Sequence, residues 1–305
     1  MRACLPHRHD ARPITTAIGR RSVLGGLAAL GAAGLSPRTF AQQSNPAPTA
    51  EAVAAALPVR TPGIEHVAMT VPAVSPVARF YSKLFDPDGL HKEQDGALRY
   101  YVWLGTGYIA IGARETPVAP FIDHFCTLVE GYDGAAMAAR LAEEGLPQGR
   151  FGVFPDPDGL GLQLLPVPGG LATTTEPSTR IVDGDALVTP LGLDHMLLHV
   201  DDVETSAAFY QTFFDAPVER ESASEAGPDR LWLTIEGTRL GLQQRAPLEP
   251  PRIDRFGVRV AAFDRAALET ELRLIGATIA PDDPRDPSLL LLRDPNGLGV
   301  ALRPV

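Results

Sequence analysis

The chain has 305 residues, of which 45% are hydrophobic and 21% charged, and its formal net charge is −10 at pH 7. This length accommodates one large or two ordinary globular domains. The acidic balance argues against nucleic acids and anionic membrane surfaces as partners, because a negatively charged protein is repelled by both.

The first 41 residues have the features of an export signal. Arg20 and Arg21 precede an apolar run rich in small residues, and Ala41 ends a small-residue cleavage site. This arrangement is typical of a twin-arginine signal peptide, so residues 1–41 are predicted to be removed and the protein to reach the periplasm or be secreted. The alternative is a membrane anchor, but the apolar run has only about fifteen residues, fewer than the roughly twenty that span a bilayer.

Cleavage changes the charge and the cysteine content. Residues 1–41 carry six arginines and one aspartate, a net charge of +5, so the mature chain carries −15. Cys4 is lost with the signal and Cys126 remains alone, which excludes an intramolecular disulfide. Residues 42–60 are predicted to be a flexible tether, and the mature protein is predicted to have no membrane contact.

Four segments of the remaining sequence repeat one pattern, which predicts an α+β fold. Each begins with a short strand, continues with an amphipathic helix and ends with further strands. The predicted opening strands are 63–71, 121–129, 192–200 and 252–260. The predicted N-caps of the four helices are Ser75, Asp133, Asp202 and Asp264.

The second and fourth repeats end in near-copies of one turn. Residues 156–159 read Asp-Pro-Asp-Gly and residues 294–297 read Asp-Pro-Asn-Gly, which favours a type I turn followed by a strand. The repeats therefore group in pairs. We predict a first module at 61–167, a linker at 168–189 and a second module at 190–305.

These motifs resemble the vicinal oxygen chelate superfamily. The resemblance rests on the Asp-His pairs in the opening strands, on Phe80–Tyr81 and Phe209–Tyr210 in the helices, and on the two Asp-Pro turns. The superfamily includes glyoxalase I, extradiol dioxygenases, fosfomycin-resistance enzymes and bleomycin-binding proteins. It implies paired βαβββ units that form a curled mixed sheet around a cleft.

The resemblance also implies a metal site in the first module. His66 and His124 stand at the ligand positions of the opening strands and Gln163 at that of a last strand. Two imidazoles and an oxygen suit a divalent ion such as Fe, Mn, Zn or Ni and leave coordination positions open. Because alternate residues of a strand face one side, Glu65 and Asp123 are expected to point away from the histidines.

The second module departs from this pattern. Its equivalent positions hold His195, Arg255, Gln243 and Ala301. Arginine stays protonated and alanine has no donor atom, so the second module is not expected to bind a metal in the same way. It is interpreted as a structural partner or a second pocket.

The leading hypothesis is an exported metal-dependent enzyme, dioxygenase-like or glyoxalase-like, that acts on a small organic substrate. Tyr101 and Cys126 are the candidate catalytic residues, although packing roles are the alternative for both. A second hypothesis is a metal-free protein that sequesters a small molecule, like the bleomycin-binding members. A third is a structural homodimer with degenerate sites.

The export signal can be tested with a double Arg20→Lys, Arg21→Lys variant. We expect the variant to stay in the cytoplasm with residues 1–41 attached, because the transport pathway reads the arginine pair. Cell fractionation and mass spectrometry of the N-terminus measure both effects. Unchanged export of the variant would show that the twin-arginine interpretation is wrong.

Overall fold

The computed structural model of the protein describes residues 57–94, 97–114, 118–143, 152–225 and 227–305. The predicted export signal and residues 42–56 of the predicted tether lie outside the described residues. Within the described part of the chain, no helix has the length and apolar character needed to cross a membrane.

The first half of the described chain contains two strand–helix repeats. Its elements are β1 (Ile64–Thr70), α1 (Val74–Leu84), β2 (Asp88–Gln94), β3 (Ala97–Trp103), β4 (Tyr108–Gly112), β5 (Phe121–Val129), α2 (Gly134–Glu143), β6 (Val153–Pro155) and β7 (Gly161–Pro166).

The second half repeats this order. After the short strand β8 (Thr179–Arg180), its elements are β9 (Pro190–Val200), α3 (Val203–Phe214), β10 (Val218–Glu221), β11 (Arg230–Ile235), β12 (Thr238–Gln244), β13 (Arg252–Val260), α4 (Arg265–Leu274), β14 (Thr278–Ile279), β15 (Leu290–Arg293) and β16 (Gly299–Pro304).

The strands form one curled mixed sheet, in agreement with the predicted α+β class. Its main order is β10-β11-β12-β9-β13-β5-β1-β4-β3-β2-β8. Strands β7 and β6 continue from β5, and β16, β15 and β14 continue from β13. The two halves are joined in the sheet between β5 and β13, where Ile122 is in register with Ile253.

The helices cover one face of the sheet, and we call the opposite face of the curled sheet its cleft face. Val67, Phe125 and Leu162 belong to the main core together with residues of all four helices. On the opposite face, Tyr101 and Tyr108 form a separate small cluster with Leu90 and Leu171. Alternation along the strands therefore separates a packing face from a cleft face.

The segments around the predicted modules have structure of their own. Within the predicted linker, residues 170–173 form a 3₁₀ helix and β8 pairs with β2 at the edge of the sheet. At the end of the predicted tether, Val59 is buried, and its backbone N–H donates to the carbonyl of Phe213.

Three of the four predicted helix caps are present. The carboxylates of Asp133, Asp202 and Asp264 accept hydrogen bonds from backbone N–H groups of the first helical turn. The prediction for Ser75 is wrong, because α1 begins at Val74 and Ser75 lies inside the helix. No side chain caps that helix at its N-cap position.

Each Asp-Pro turn is linked to a helix of the other half. The Asp156 carboxylate accepts hydrogen bonds from its own turn, including the Leu160 N–H at 2.8 Å, and from the Tyr210 hydroxyl of α3 at 2.7 Å. Asp294 likewise accepts from the Tyr81 hydroxyl of α1 at 3.0 Å. Two reciprocal hydrogen bonds thus connect the halves through buried tyrosines.

Burial of Asp156 makes this connection sensitive to pH. Asp156 is 2% exposed, and burial raises the pKa of its carboxyl group to about 6, although the Tyr210 hydrogen bond favours the charged form. Because the folded state binds a proton more readily than the unfolded state, this group favours folding at low pH, and that contribution is lost as the pH rises through 6.

We therefore expect Asp156→Asn to flatten the pH dependence of stability. Between pH 4 and pH 7 the wild type should lose up to about 3 kcal/mol of unfolding free energy relative to the variant. Urea denaturation at several pH values measures this difference. Parallel stability curves for the two proteins would contradict the expectation.

Candidate metal centre

The opening strands of the first half are irregular at their acidic residues. The pairing of β1 with β5 shifts between Ile64 and His66, which leaves Glu65 without an opposite residue. A second shift leaves Asp123 unpaired in the same way. These are β-bulges, in which an extra residue breaks the alternation and adjacent side chains can share a face.

As a result, each acidic side chain lies beside the histidine that follows it. Glu65 Oε2 is 2.6 Å from His66 Nδ1, and Asp123 Oδ2 is 2.8 Å from His124 Nδ1. The prediction that Glu65 and Asp123 point away from the histidines is therefore wrong. It assumed regular alternation, which the bulges interrupt.

The second half has the same irregularities. The pairing of β9 with β13 shifts so that Asp194 and Asp254 are skipped. Asp194 Oδ2 lies 2.7 Å from His195 Nδ1, and Asp254 lies 3.8 Å from Arg255. The sequence carried this signal, because all four opening strands contain an acidic residue directly before a histidine or an arginine.

The cleft face of the first half carries a row of polar side chains across four strands. Tyr108 of β4 is in register with His66 of β1, His66 with Cys126 of β5, and Cys126 with Gln163 of β7. The His66 ring stacks on Tyr108 at a centroid distance of 4.5 Å and is in hydrogen-bonding reach of Gln163. All four side chains are buried.

His124 stands next to this row. Its ring centroid is 5.7 Å from that of His66, and its side chain is 14% exposed. The neighbouring position on β7 is Gly161, where an added Cβ would lie 2.7 Å from the Cβ of His124. The structure thus brings the predicted residues His66, His124 and Gln163 together on one face.

The acidic neighbours determine which imidazole nitrogen is available. With Glu65 and Asp123 accepting from Nδ1–H, the lone pair of each neutral ring is at Nε2, the arrangement found in histidines that ligate metals. Burial lowers the pKa of His66, although the Glu65 hydrogen bond opposes the shift. Burial would raise the pKa of Asp123, but hydrogen bonds from His124 and Arg114 bring it below its usual value.

The donor set fits a divalent ion. It offers two imidazoles and an amide oxygen, and a thiol lies in the same row. Ligand atoms of Glu65, His66 and Cys126 also lie within 4.8 Å of one another. Two overlapping ligand sets therefore share His66, one with His124 and Gln163, the other with Glu65 and Cys126.

The two candidate catalytic residues, Tyr101 and Cys126, lie at this site, where burial favours the uncharged form of each side chain. Tyr101 is in the small aromatic cluster, with its ring 5.9 Å from Tyr108, and Cys126 is fully buried. Burial raises the pKa of both groups.

Gly170 of the 3₁₀ helix lies so close to Glu65 that an added Cβ would overlap the carboxylate, so this segment closes one side of the site.

The equivalent face of the second half lacks this donor set. Its row reads Arg239, His195, Gly257 and Ala301, and Arg255 takes the place of His124. The remaining predicted position, Gln243, is occupied by hydrogen bonds from Arg230 at 3.0 and 3.2 Å.

Comparisons with known proteins place the fold. Residues 195–302 match the family model described as a glyoxalase-like domain. The match covers the half in which Arg255 and Ala301 stand at the predicted ligand positions. A search of the curated proteins found no match.

Solved structures match over most of the chain. A catechol 2,3-dioxygenase has a TM-score of 0.58 and 14% identity, covering 81% of this chain and 90% of its own. A halotolerant catechol dioxygenase has a TM-score of 0.56 and 14% identity over 80% of this chain and 86% of its own. The Mn(II)-bound glyoxalase from Novosphingobium aromaticivorans has a TM-score of 0.56 and 13% identity over 80% and 82%. The protein thus has the curled α+β fold of the vicinal oxygen chelate proteins.

Proposed function

We propose that this protein is an exported, metal-dependent enzyme of the vicinal oxygen chelate superfamily that acts on a small organic substrate by dioxygenase-like or glyoxalase-like chemistry. The observation that carries the proposal is the convergence of His66, His124 and Gln163, with both Nδ1 atoms held by carboxylates. The dioxygenases and the glyoxalase among the structural neighbours support the reaction class.

A divalent ion held by these residues would supply Lewis acidity toward two neighbouring oxygens of the substrate. Glu65 and Asp123 orient the histidine rings. Tyr101 and Tyr108, with Leu171, provide an apolar wall that excludes water and contacts the carbon skeleton of a substrate.

The neutral ligand at Gln163 is balanced by the acidic residues of the bulges. An amide oxygen donates less charge to a divalent ion than a carboxylate does. Glu65 and Asp123 place two negative charges one hydrogen bond behind the imidazoles and so partly compensate for the missing ligand charge.

The aromatic wall also favours a second candidate, a metal-free protein that sequesters a small molecule. Tyr101, Tyr108 and Trp103 pack in one cluster on the cleft face, with the Trp103 and Tyr108 rings 6.2 Å apart. Metal content separates the two candidates, because the sequestering protein binds its ligand without an ion.

The ligand set predicts the order of metal affinity among variants. His124→Ala should abolish binding of one divalent ion per chain, and Gln163→Glu should strengthen binding because it adds a negative charge at the ion. His195→Ala is the matched control and should leave metal content unchanged. The neighbouring positions hold Arg255 and Ala301, which cannot serve as metal ligands beside His195. Metal titration with elemental analysis measures all three.

Two outcomes would contradict this function. One is a wild-type protein that binds no divalent ion. The other is loss of the ion in His195→Ala but not in His124→Ala.

Cobalt substitution identifies which ligand set is used. If the ion is held by His66, His124 and Gln163, Co²⁺ protein should show no sulfur-to-metal charge-transfer absorption, and Cys126→Ser should leave both spectrum and affinity unchanged. An intense near-ultraviolet band that disappears in Cys126→Ser would instead assign the ion to Glu65, His66 and Cys126.

A further inference from the structure

The cleft face of the second half carries buried arginines where the first half has its candidate metal ligands. Arg255, at the position of His124, donates to Asp283 Oδ2 at 3.2 Å, and Arg230 donates to the same oxygen at 2.9 Å. The Arg230, Arg255 and Asp283 side chains are only 8%, 11% and 4% exposed. Two guanidinium groups thus converge on one buried carboxylate oxygen.

Two aromatic side chains lie beside the two arginines and Asp283. The His195 and Trp232 rings meet edge to face at 5.5 Å, and the Arg230 guanidinium lies 5.8 Å from the centre of the Trp232 ring. Arg255 interacts electrostatically with both His195 and Arg230. His195, Trp232, Arg230 and Arg255 therefore face a common region.

This region has an excess of unused hydrogen-bonding atoms. Among the residues that the structure describes, eight buried side-chain polar atoms have no hydrogen-bond partner. Six of them belong to this group of arginine and aromatic side chains or to residues beside it. They are His195 Nε2, His199 Nδ1, Glu221 Oε2, Trp232 Nε1, Arg255 Nε and Arg285 Nη1. Of these, Glu221 Oε2 still has guanidinium groups nearby as ion-pair partners, Arg230 Nη1 at 3.6 Å and Arg285 Nη1 at 4.0 Å. Buried polar atoms are nearly always paired, so the donors among these atoms are groups that a bound acceptor could satisfy.

The chemistry of the unused atoms indicates the kind of partner. Trp232 Nε1 and Arg255 Nε are donors and require an acceptor, whereas Arg285 Nη1 faces the Glu221 carboxylate at 4.0 Å. A planar carboxylate matches the fork of a guanidinium group, and Asp283 already shows a carboxylate oxygen held between Arg230 and Arg255.

We propose that the second cleft is a binding site for a small organic carboxylate, which exchanges with the Asp283 side chain between Arg230 and Arg255 and uses the free donors of Arg255 and Trp232. The site needs no metal ion, because guanidinium groups supply its positive charge. It is separate from the candidate metal centre, so it does not depend on the function proposed there.

The segment that carries Asp283 covers the site in this structure. Asp283 lies between β14 and β15 in a segment that Arg285 ties to the carbonyls of Gly227 and Pro228 at 2.9 and 2.6 Å. Asp283 therefore acts as an internal competitor. Its removal should leave Arg230 and Arg255 with only the more distant carboxylates of Glu221 and Asp254, at 3.6 and 3.8 Å, and so increase affinity for an external carboxylate.

The test is calorimetric titration of the full chain with benzoate, and with inorganic phosphate as the second arm. Asp283→Ala should bind benzoate at least tenfold more tightly than wild type, and Asp283→Asn should also bind more tightly, because both remove the competing charge. Arg255→Met, which keeps an unbranched apolar stem but removes the guanidinium group, should abolish binding. Asp286→Ala is the matched control, because Asp286 lies in the same segment but pairs with Arg303.

Circular dichroism and thermal melting verify that each variant is folded, and Asp283→Asn serves if Asp283→Ala is not. Repeating the titration in His124→Ala should give the same result, which separates this site from the first cleft. The proposal is overturned if the folded Asp283 variants bind benzoate no better than Asp286→Ala, if Arg255→Met binds as well as wild type, or if phosphate is bound more tightly than benzoate.

Discussion

Both clefts depend on a β-bulge that places a carboxylate beside the basic residue following it. In a regular strand, Glu65 and His66 would lie on opposite faces. The bulge brings them within 2.6 Å, and the same device joins Asp123 to His124 and Asp194 to His195. A buried imidazole thereby has its tautomer and its ring orientation set by a neighbour in sequence, and no distant element has to supply the partner.

One fold with these β-bulges can hold positive charge in two ways, as a bound metal ion or as a guanidinium group. In the first half the equivalent positions hold histidine and glutamine, whose lone pairs suit a metal ion. In the second half Arg255 replaces His124 and Ala301 replaces Gln163, so a guanidinium group brings the positive charge itself. The carboxylates Asp254 and Asp283 balance that charge, as Glu65 and Asp123 would balance the charge of an ion bound in the first half.

The helices hold the two clefts in place through contacts that cross between the halves. Tyr210 reaches the Asp156 turn and Tyr81 the Asp294 turn, each from a helix of the other half. Since each turn leads into β7 or β16, these hydrogen bonds set the start of the strand that carries Gln163 or Ala301. The tyrosines of the Phe-Tyr motifs and the aspartates of the Asp-Pro turns thus act together to connect the two halves.

The sequence by itself determined the repeated strand–helix order and the two Asp-Pro turns, because hydrophobic periodicity and turn chemistry are local properties, and the family resemblance indicated His66, His124 and Gln163. Only the tertiary structure decided which neighbours those residues meet. The roles of Glu65 and Asp123 depend on bulges, which arise from pairing between strands and leave no mark in the alternation of one strand. The convergence of Arg230, Arg255 and Asp283 joins segments more than twenty residues apart in sequence, a distance that local patterns do not encode.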